Sequence, residues 1–468
     1  MTLTGQQLKV DCLVVGAGIS GLQAALDLAD QGFAVAVVEK EPSIGGKMIS
    51  LSKVFPTLDC ASCITTPKMA AAAHHGGIAI LTYAELKGIA GEPGRVVATV
   101  EKKPRYVDED RCIGCRQCEY ACPVTVPHAF EGGLGARRAM YVPFTNAIPQ
   151  VALLDLDNCV LCGKCERVCP AGAVDFSQQA ETVTIEARAV IVATGFEQTP
   201  PTAKPQYGYG KVPNVITGLQ MERLLAPHGP YGRVLRPSDG KVPGSIAYVQ
   251  CAGSRDQSLG VPYCSRVCCM YAIKQAMLLS GALPLADITI YYMDIRAFGK
   301  GYEQFYRNAQ AMGIEFVKGK VARITEGENQ SPVVRVEMIE EDGLPRERQH
   351  DLVVLSLGML PGWQPPDNPR SALSRSALPR SALSLTTAAD GFVQCPQVKL
   401  CPSLTDQPGI FVAGTAAGPK DIVDSIVEGG AAAMEASAFL HQLDAAEDCE
   451  QTTTPPREPA MAGGKAND

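Results

Sequence analysis

Residues 9–21 read KVDCLVVGAGISG. Leu13, Val14 and Val15 form a short apolar strand that runs into Gly16-x-Gly18-x-x-Gly21. Leu22, Ala25, Leu26 and Ala29 then recur at helical spacing, and Gly32 supplies a stop. A second strand, Ala34 to Val38, ends in Glu39. Together these make the dinucleotide-binding βαβ pattern. The glycines keep the turn tight and let the backbone approach a pyrophosphate at the helix N-terminus, and the acid can accept hydrogen bonds from ribose hydroxyls. The glycine spacing alone would be no more than a glycine-rich turn; strand, helix and Glu39 give it meaning.

FAD is preferred over NAD as the ligand, because the motif lies near the start of the sequence and is followed by Ile44-Gly45-Gly46-Lys47. A Gly-Gly after the acid resembles the two-dinucleotide-domain flavoproteins. Two later segments look like the remaining FAD contacts. AVIVATGF (189–196) is an apolar strand ending in Ala193-Thr194-Gly195, and GIFVAGTAAGPKDI (409–422) is another strand entering glycines at Gly414, with Lys420 downstream. The second departs from the usual Gly-Asp, since Thr415 follows Gly414, which puts the ribityl contact of that Asp in doubt.

The 468 residues carry 42 Lys+Arg against 49 Asp+Glu, a net charge of −7, and 46% are hydrophobic. This fits a folded protein of two to four domains and argues against a nucleic-acid or anionic-membrane footprint. No apolar stretch reaches the roughly 18–20 residues of a membrane span and no signal sequence is evident, so a cytoplasmic location is expected. Eighteen cysteines, most in tight groups, then read as metal ligands more readily than as disulfides.

Cys112-x2-Cys115-x2-Cys118-x3-Cys122-Pro123 and Cys159-x2-Cys162-x2-Cys165-x3-Cys169-Pro170 are two copies of the bacterial ferredoxin run. Three thiolates in one loop can hold three irons of a cubane, while the fourth cysteine reaches the other cluster. One [4Fe-4S] cluster would then take Cys112, Cys115, Cys118 and Cys169, and the other Cys159, Cys162, Cys165 and Cys122. CxxC pairs also suit zinc, against which the duplicated spacing speaks. The segment between the runs is longer than a compact ferredoxin needs and is free to cover the clusters or contact a partner. The unit interrupts the flavin domain, giving an expected order of 1–105 (FAD domain, first part), 106–178 (ferredoxin insert), 179–443 (rest of the FAD domain with a nucleotide-domain-like subdomain) and 444–468 (disordered tail).

Cys251-x12-Cys264-x3-Cys268-Cys269 follows the apolar strand SIAYVQCAGS and enters a helix. Four thiols converging there could ligate a further four-iron cluster, or could be buried structural cysteines. A second nucleotide-binding glycine motif would be expected about here in a pyridine-nucleotide reductase, and its absence argues against direct NAD(P)H oxidation.

The whole set resembles the A-subunit (HdrA-like) family of heterodisulfide reductase, whose members are iron-sulfur flavoproteins. The resemblance is carried by GAGISG, GGKMISLSKVFPTLDCASCITTPK (45–68), the two CxxCxxCxxxCP runs with EGGLGARRAMYVPF (131–144), YCSRVCCMYAIKQA (263–276) and GPKDI (418–422). It implies an α/β, thioredoxin-reductase-like FAD fold with an inserted two-cluster ferredoxin, and a third [4Fe-4S] cluster on Cys251, Cys264, Cys268 and Cys269. It further implies electron transfer between flavin and clusters, with bifurcation or its reverse. It places Lys274 near the flavin N5, where an ammonium would stabilise the reduced anionic ring; the plain alternative is a solvated helix lysine. Implied partners are subunits like heterodisulfide reductase B and C, an electron-input module and ferredoxin. The larger members carry an additional N-terminal domain and a C-terminal ferredoxin module; here either a partner supplies the clusters of that module or the bifurcating exit is absent.

Two other functions compete: an electron-conducting subunit of a quinone-interacting oxidoreductase or class II benzoyl-CoA reductase-type complex, and a free-standing NAD(P)H-dependent disulfide reductase. Cys60-x-x-Cys63 has the form of a dithiol pair, in a loop-like PTLDCASC segment, with packing or scaffolding as its other reading. Cys12 reads as core. Cys395, Cys401 and Cys449 have no ligand spacing, and His74-His75 reads as a helix end. RSALSRSALPRSALS (370–384) reads as an expansion in an exposed loop.

Overall fold

The computed structural model describes residues 7–338, 343–362 and 385–453, residues 449–453 by backbone alone. Its first sheet is five-stranded and wholly parallel, in the order Ile410–Val412, Ala189–Val192, Cys12–Val15, Val35–Glu39, Ile78–Thr82. These strands are short and almost continuously apolar, as a sheet covered on both faces requires. One face packs on the helix Ile19–Ala29 and the long helix Ile422–Thr453. The other faces a four-stranded layer, Gln7–Lys9, Glu181–Ala187, Arg95–Lys102, Ala84–Glu92.

The iron-sulfur runs lie in a hairpin of that layer. Arg95–Lys102 and Glu181–Ala187 are antiparallel neighbours, with Lys102 opposite Glu181. The chain therefore leaves at one strand end and returns at the adjacent one, so residues 103–180 enter without disturbing the sheet.

The second sheet has seven strands: Val215–Thr217, Leu352–Leu357, Ser245–Ala252, Asp287–Tyr292 and Glu315–Glu326 are parallel, with Pro332–Met338 and Pro345–Gln349 continuing antiparallel. It is joined to the first domain by a paired crossover, Phe196–Gln198 against Met359–Pro361. The helix Gly218–Leu225 starts in a capping box, Thr217 and Gln220 each bonding the other's backbone N–H. The helix Cys268–Ala282 packs on the same sheet.

Two expectations differ and two fall outside the described residues. The terminal helix continues through Thr453, so residues 445–453, expected as tail, are helical. Cys60 and Cys63 lie not in a loop but at the start of the helix Ala61–His74. The 370–384 repeat and the Cys449 side chain lie outside the described residues. No helix among the described residues is long and apolar enough to cross a membrane.

Candidate functional site

The glycine turn sits at the C-terminal ends of the first sheet's strands, where open α/β sheets bind ligands. Gly16 has φ +106°, and a Cβ there would lie 2.4 Å from the Ala193 carbonyl oxygen. The turn is thus pressed against Ala193-Thr194-Gly195, uniting two of the expected contact segments. Gly46 has φ +56°, and its Cβ would stand 2.7 Å from the Gly18 Cα, so the Gly45-Gly46 segment folds over the turn. Around Gly18 itself a Cβ would meet nothing within 4 Å, leaving the backbone approachable. Gly21 follows in the helix, and Thr415 lies beside Gly195.

Glu39 is buried, and burial pushes its carboxyl up. Its oxygens accept from the Ala17 N–H at 2.7 Å and the Glu41 N–H at 3.0 Å, so the acid clamps the turn and keeps lone pairs for a ligand hydroxyl. The Thr194 hydroxyl is buried without a hydrogen-bond partner. A cradle only glycine permits, with an unsatisfied hydroxyl beside it, fits a bound dinucleotide. Lys47 turns to Glu197, at 3.6 Å, and lies over the Phe196 ring, while Lys420 pairs with Glu428.

The insert's cysteines sort into two cavities. One is lined by Cys112, Cys115, Cys118 and Cys169; the other by Cys159, Cys162, Cys165 and Cys122. Each set takes three thiols from one run and the last from the other. The first three positions of the runs match: Cys118 and Cys165 are buried, Cys112 and Cys159 half-buried, Cys115 and Cys162 exposed; at the fourth, Cys122 is buried and Cys169 half-buried. Burial, with Cys112, Cys169 and Cys115 adding repulsion, pushes the Cys118 thiol up to about 12, and burial raises Cys165. Such thiols stay protonated until a strongly positive centre draws off the proton, which iron does. Among the described residues no three His, Cys, Asp or Glu side chains are gathered tightly enough to grip a single metal ion.

The third cysteine set is assembled where the second sheet would otherwise hold a nucleotide. Cys251, at φ +56°, ends the strand Ser245–Ala252. A tight loop, closed by Arg255 N–H to Tyr263 at 2.9 Å and Asp256 N–H to Val261 at 2.7 Å, brings back Cys264, and Cys268 and Cys269 open the following helix. The four are close enough that Cys251, Cys264 and Cys269 raise the pKa of Cys268 beyond the effect of its burial. Cys269 is pushed up to about 12 mainly by burial.

Lys274 is not the solvated alternative: it is 1% exposed. Its ammonium donates to the Lys53 carbonyl at 2.8 Å and pairs with Glu222. Burial raises the Glu222 carboxyl, but Lys274, Gln275 and Ser52 outweigh this and hold it below its ordinary value; burial lowers Lys274. Glu222 also accepts from the Ser52 N–H and hydroxyl, at 3.0 and 2.7 Å. Sequence reading missed Glu222 and its neighbour Arg223, whose partners are far away in the chain. The capping box just ahead of them was the only local signal.

Arg223 grips Glu131 with two nitrogens, at 2.9 and 3.1 Å, donates to the Ser50 carbonyl and covers the Phe130 ring. The segment between the runs therefore docks within this chain. A second seam joins it to the glycine site: Ile148 N–H donates to the Ser43 hydroxyl at 2.9 Å, and Ile44 N–H to the Ile148 carbonyl at 3.0 Å.

Residues 111–174 match the 4Fe-4S dicluster domain, and residues 14–64 the NAD(P)-binding Rossmann-like domain. The thioredoxin reductase of T. acidophilum superimposes with a TM-score of 0.51 at 15% identity, over 93% of this chain and 99% of that one, which establishes the fold. One of the two iron-sulfur A-subunits of CoB–CoM heterodisulfide reductase from Methanopyrus kandleri is 49% identical over 445 residues, 93% of this chain and 66% of that protein. The A-subunit of the H(2):CoB-CoM heterodisulfide,ferredoxin reductase of Methanothermobacter marburgensis is 44% identical over 442 residues, 93% of this chain and 65% of that protein. The chain thus spans slightly under two thirds of the length of these relatives, and it belongs to the iron-sulfur A-subunit family of heterodisulfide reductase.

Proposed function

We propose that this chain is an electron-transfer subunit of a heterodisulfide reductase-type complex, holding one FAD at the Gly16–Gly21 turn and three [4Fe-4S] clusters. The observation that carries this reading is the sorting of eight cysteines into two crossed sets of four, in an insert hydrogen-bonded at Ser43–Ile148 to the segment that folds over the glycine turn. Bound there, a flavin supplies two-electron chemistry and the clusters one-electron carriage.

Around those groups the chain has several tasks. Gly16, Gly18 and Gly21 admit the pyrophosphate to the helix N-terminus. Glu39 fixes the turn and receives a ribose hydroxyl. Thr194 donates its free hydroxyl to the ligand. Gly45, Gly46, Lys47, Ala193, Gly195, Gly414, Thr415 and Lys420 complete the FAD contacts. Lys274, paired in this structure with Glu222, would favour an anionic reduced ring by turning its buried ammonium from that carboxylate toward the flavin. Cys115 and Cys162 stay exposed, flanked by Ile113, 70% exposed, and Val160, 64% exposed, so that an electron partner can come close. Such partners are subunits like heterodisulfide reductase B and C, an electron-input module and ferredoxin, in the cytoplasm.

Anaerobically purified chain should contain about twelve irons and one FAD, with three reducible four-iron signals in magnetic resonance. About eight irons would remove the third cluster, and a flavin-free chain that cannot be reconstituted would end the proposal.

A further inference from the structure

Cys60 and Cys63 belong to none of the ligand sets. Cys63 is exposed and Cys60 half-buried. Cys60 is the N-cap of the fourteen-residue helix Ala61–His74, its sulfur accepting from the Cys63 N–H at 3.3 Å. Residues three apart on a helical turn have Cβ atoms about 5–6 Å apart, and small backbone adjustments bring them within reach of a disulfide.

We propose that Cys60 and Cys63 form a reversible dithiol–disulfide couple that exchanges with organic disulfides, with Cys60 as the attacking sulfur. The arrangement sets the division of labour. The Cys63 thiol, the Cys63 and Ser62 N–H groups and Lys53 all favour the Cys60 thiolate and lower its pKa, whereas Cys60 raises that of Cys63. Cys60 thiolate attacks R–S–S–R, making a Cys60–S–S–R bond and releasing RS⁻. Cys63 then loses its proton and attacks the Cys60 sulfur, closing Cys60–Cys63 and releasing the second RS⁻. The dithiol is oxidised by two electrons, the organic disulfide is reduced by two, and the two protons leave with the two RSH products.

The couple lies beside the site described above. Cys60 bridges Lys53 in a short antiparallel pairing, and the Lys53 carbonyl receives the Lys274 ammonium. Exchange itself requires neither flavin nor clusters, so its failure would be separate from failure of the proposed function.

The test uses the anaerobically purified full chain with glutathione disulfide as probe. Trypsin releases residues 54–68 between Lys53 and Lys68, a peptide whose only cysteines are these two. In the reduced chain near neutral pH, Cys60 should be alkylated about tenfold faster than Cys63. Glutathione disulfide should convert the peptide to its internal disulfide, reversed by excess dithiol. Cys63→Ser should accumulate a glutathione adduct on Cys60, and Cys60→Ser should accumulate none. Both side chains reach solvent, so both variants should melt at the parent temperature. A peptide that stays reduced in excess glutathione disulfide, or Cys63 labelled as fast as Cys60, would overturn the proposal.

Discussion

Around the insert's first cavity, Cys112, Cys115 and Cys118 fall within seven consecutive residues and only Cys169 arrives from elsewhere. Around Cys251 the next cysteine in sequence is thirteen residues on, and strand end, loop and helix each contribute. The insert's sets are made by local backbone winding and leave one cysteine of each run at the surface. The third set is made by tertiary packing, with Cys268 and Cys269 buried at the start of a helix that packs into the second domain's core. A locally wound site keeps its shape when one ligand is lost, whereas a packed site shares its failure with the domain around it.

The largest test of that difference is ligand removal. Cys169→Ser should cost about four of about twelve irons and make Cys112, Cys115 and Cys118 open to alkylation, leaving Cys159, Cys162 and Cys165 protected. Exposure of the Cys159 run instead would refute the crossed assignment. Cys268→Ser should also cost about four irons, but with a lowered melting temperature for the second domain, because it leaves a hydroxyl where a fully buried sulfur stood.

Next in size is the ion pair on the third set's helix. Glu222→Ala would leave the Lys274 ammonium buried without a countercharge, and breaking a buried pair from one side costs about 3–5 kcal/mol. Denaturant unfolding should show that loss in the second domain, while the insert's cluster absorbance persists. Equal loss in both would mean that the Arg223–Glu131 contact next door ties their unfolding together.

Acid should separate the regions too. Burial lowers the His350 imidazole to about 4; its nitrogens lie 2.8 Å from the Ser245 hydroxyl and 2.9 Å from the Tyr291 hydroxyl. The unfolded chain, titrating near about 6.5, binds the proton first, so folding is favoured fully above that pH and loses stability as the pH falls toward 4. The drop amounts to about 3 kcal/mol, and His350→Gln should flatten it in a pH series of second-domain unfolding.

Legibility follows the same divide. The βαβ unit, the two runs and the strands into Ala193 and Gly414 could be read from sequence because each is encoded in a few neighbouring residues. The crossed sorting was also legible, since the Pro after the fourth cysteine turns that residue away from its own loop. Glu222 could not be found that way. Its partners Ser52 and Lys274 lie 170 and 52 residues away, and a Glu-Arg pair in a helix reads as surface until the packing is known. The tail was misread because AAEDCEQTT is polar, yet the preceding apolar face, Ala432, Ala433, Ala436 and Leu440, anchors a helix that continues through it.

The smallest effect lies inside the insert, where the two runs share a winding but not their glycines. Between the first and second cysteines the left-handed position is Gly114 in one run and Leu161 in the other; between the second and third it is Arg116 in one and Gly163 in the other. A left-handed non-glycine residue costs about 1–2 kcal/mol, and Leu161 is 67% exposed, so its side chain returns little by burial. Leu161→Gly removes that strain but adds about 0.4–1 kcal/mol of unfolded-chain freedom, for a net gain of roughly 0.5–1 kcal/mol. The reverse changes should differ from each other. Gly163→Ala meets only the flexible Arg167 guanidinium at 3.6 Å and pays conformational strain alone, whereas Gly114→Ala drives a Cβ to 2.8 Å from the Gln150 carbonyl oxygen. Thermal bleaching of the clusters under nitrogen should therefore rank Leu161→Gly above the parent, then Gly163→Ala, then Gly114→Ala. A Leu161→Gly variant that bleaches earlier than the parent would mean that the side chain, and not the winding, sets the loop.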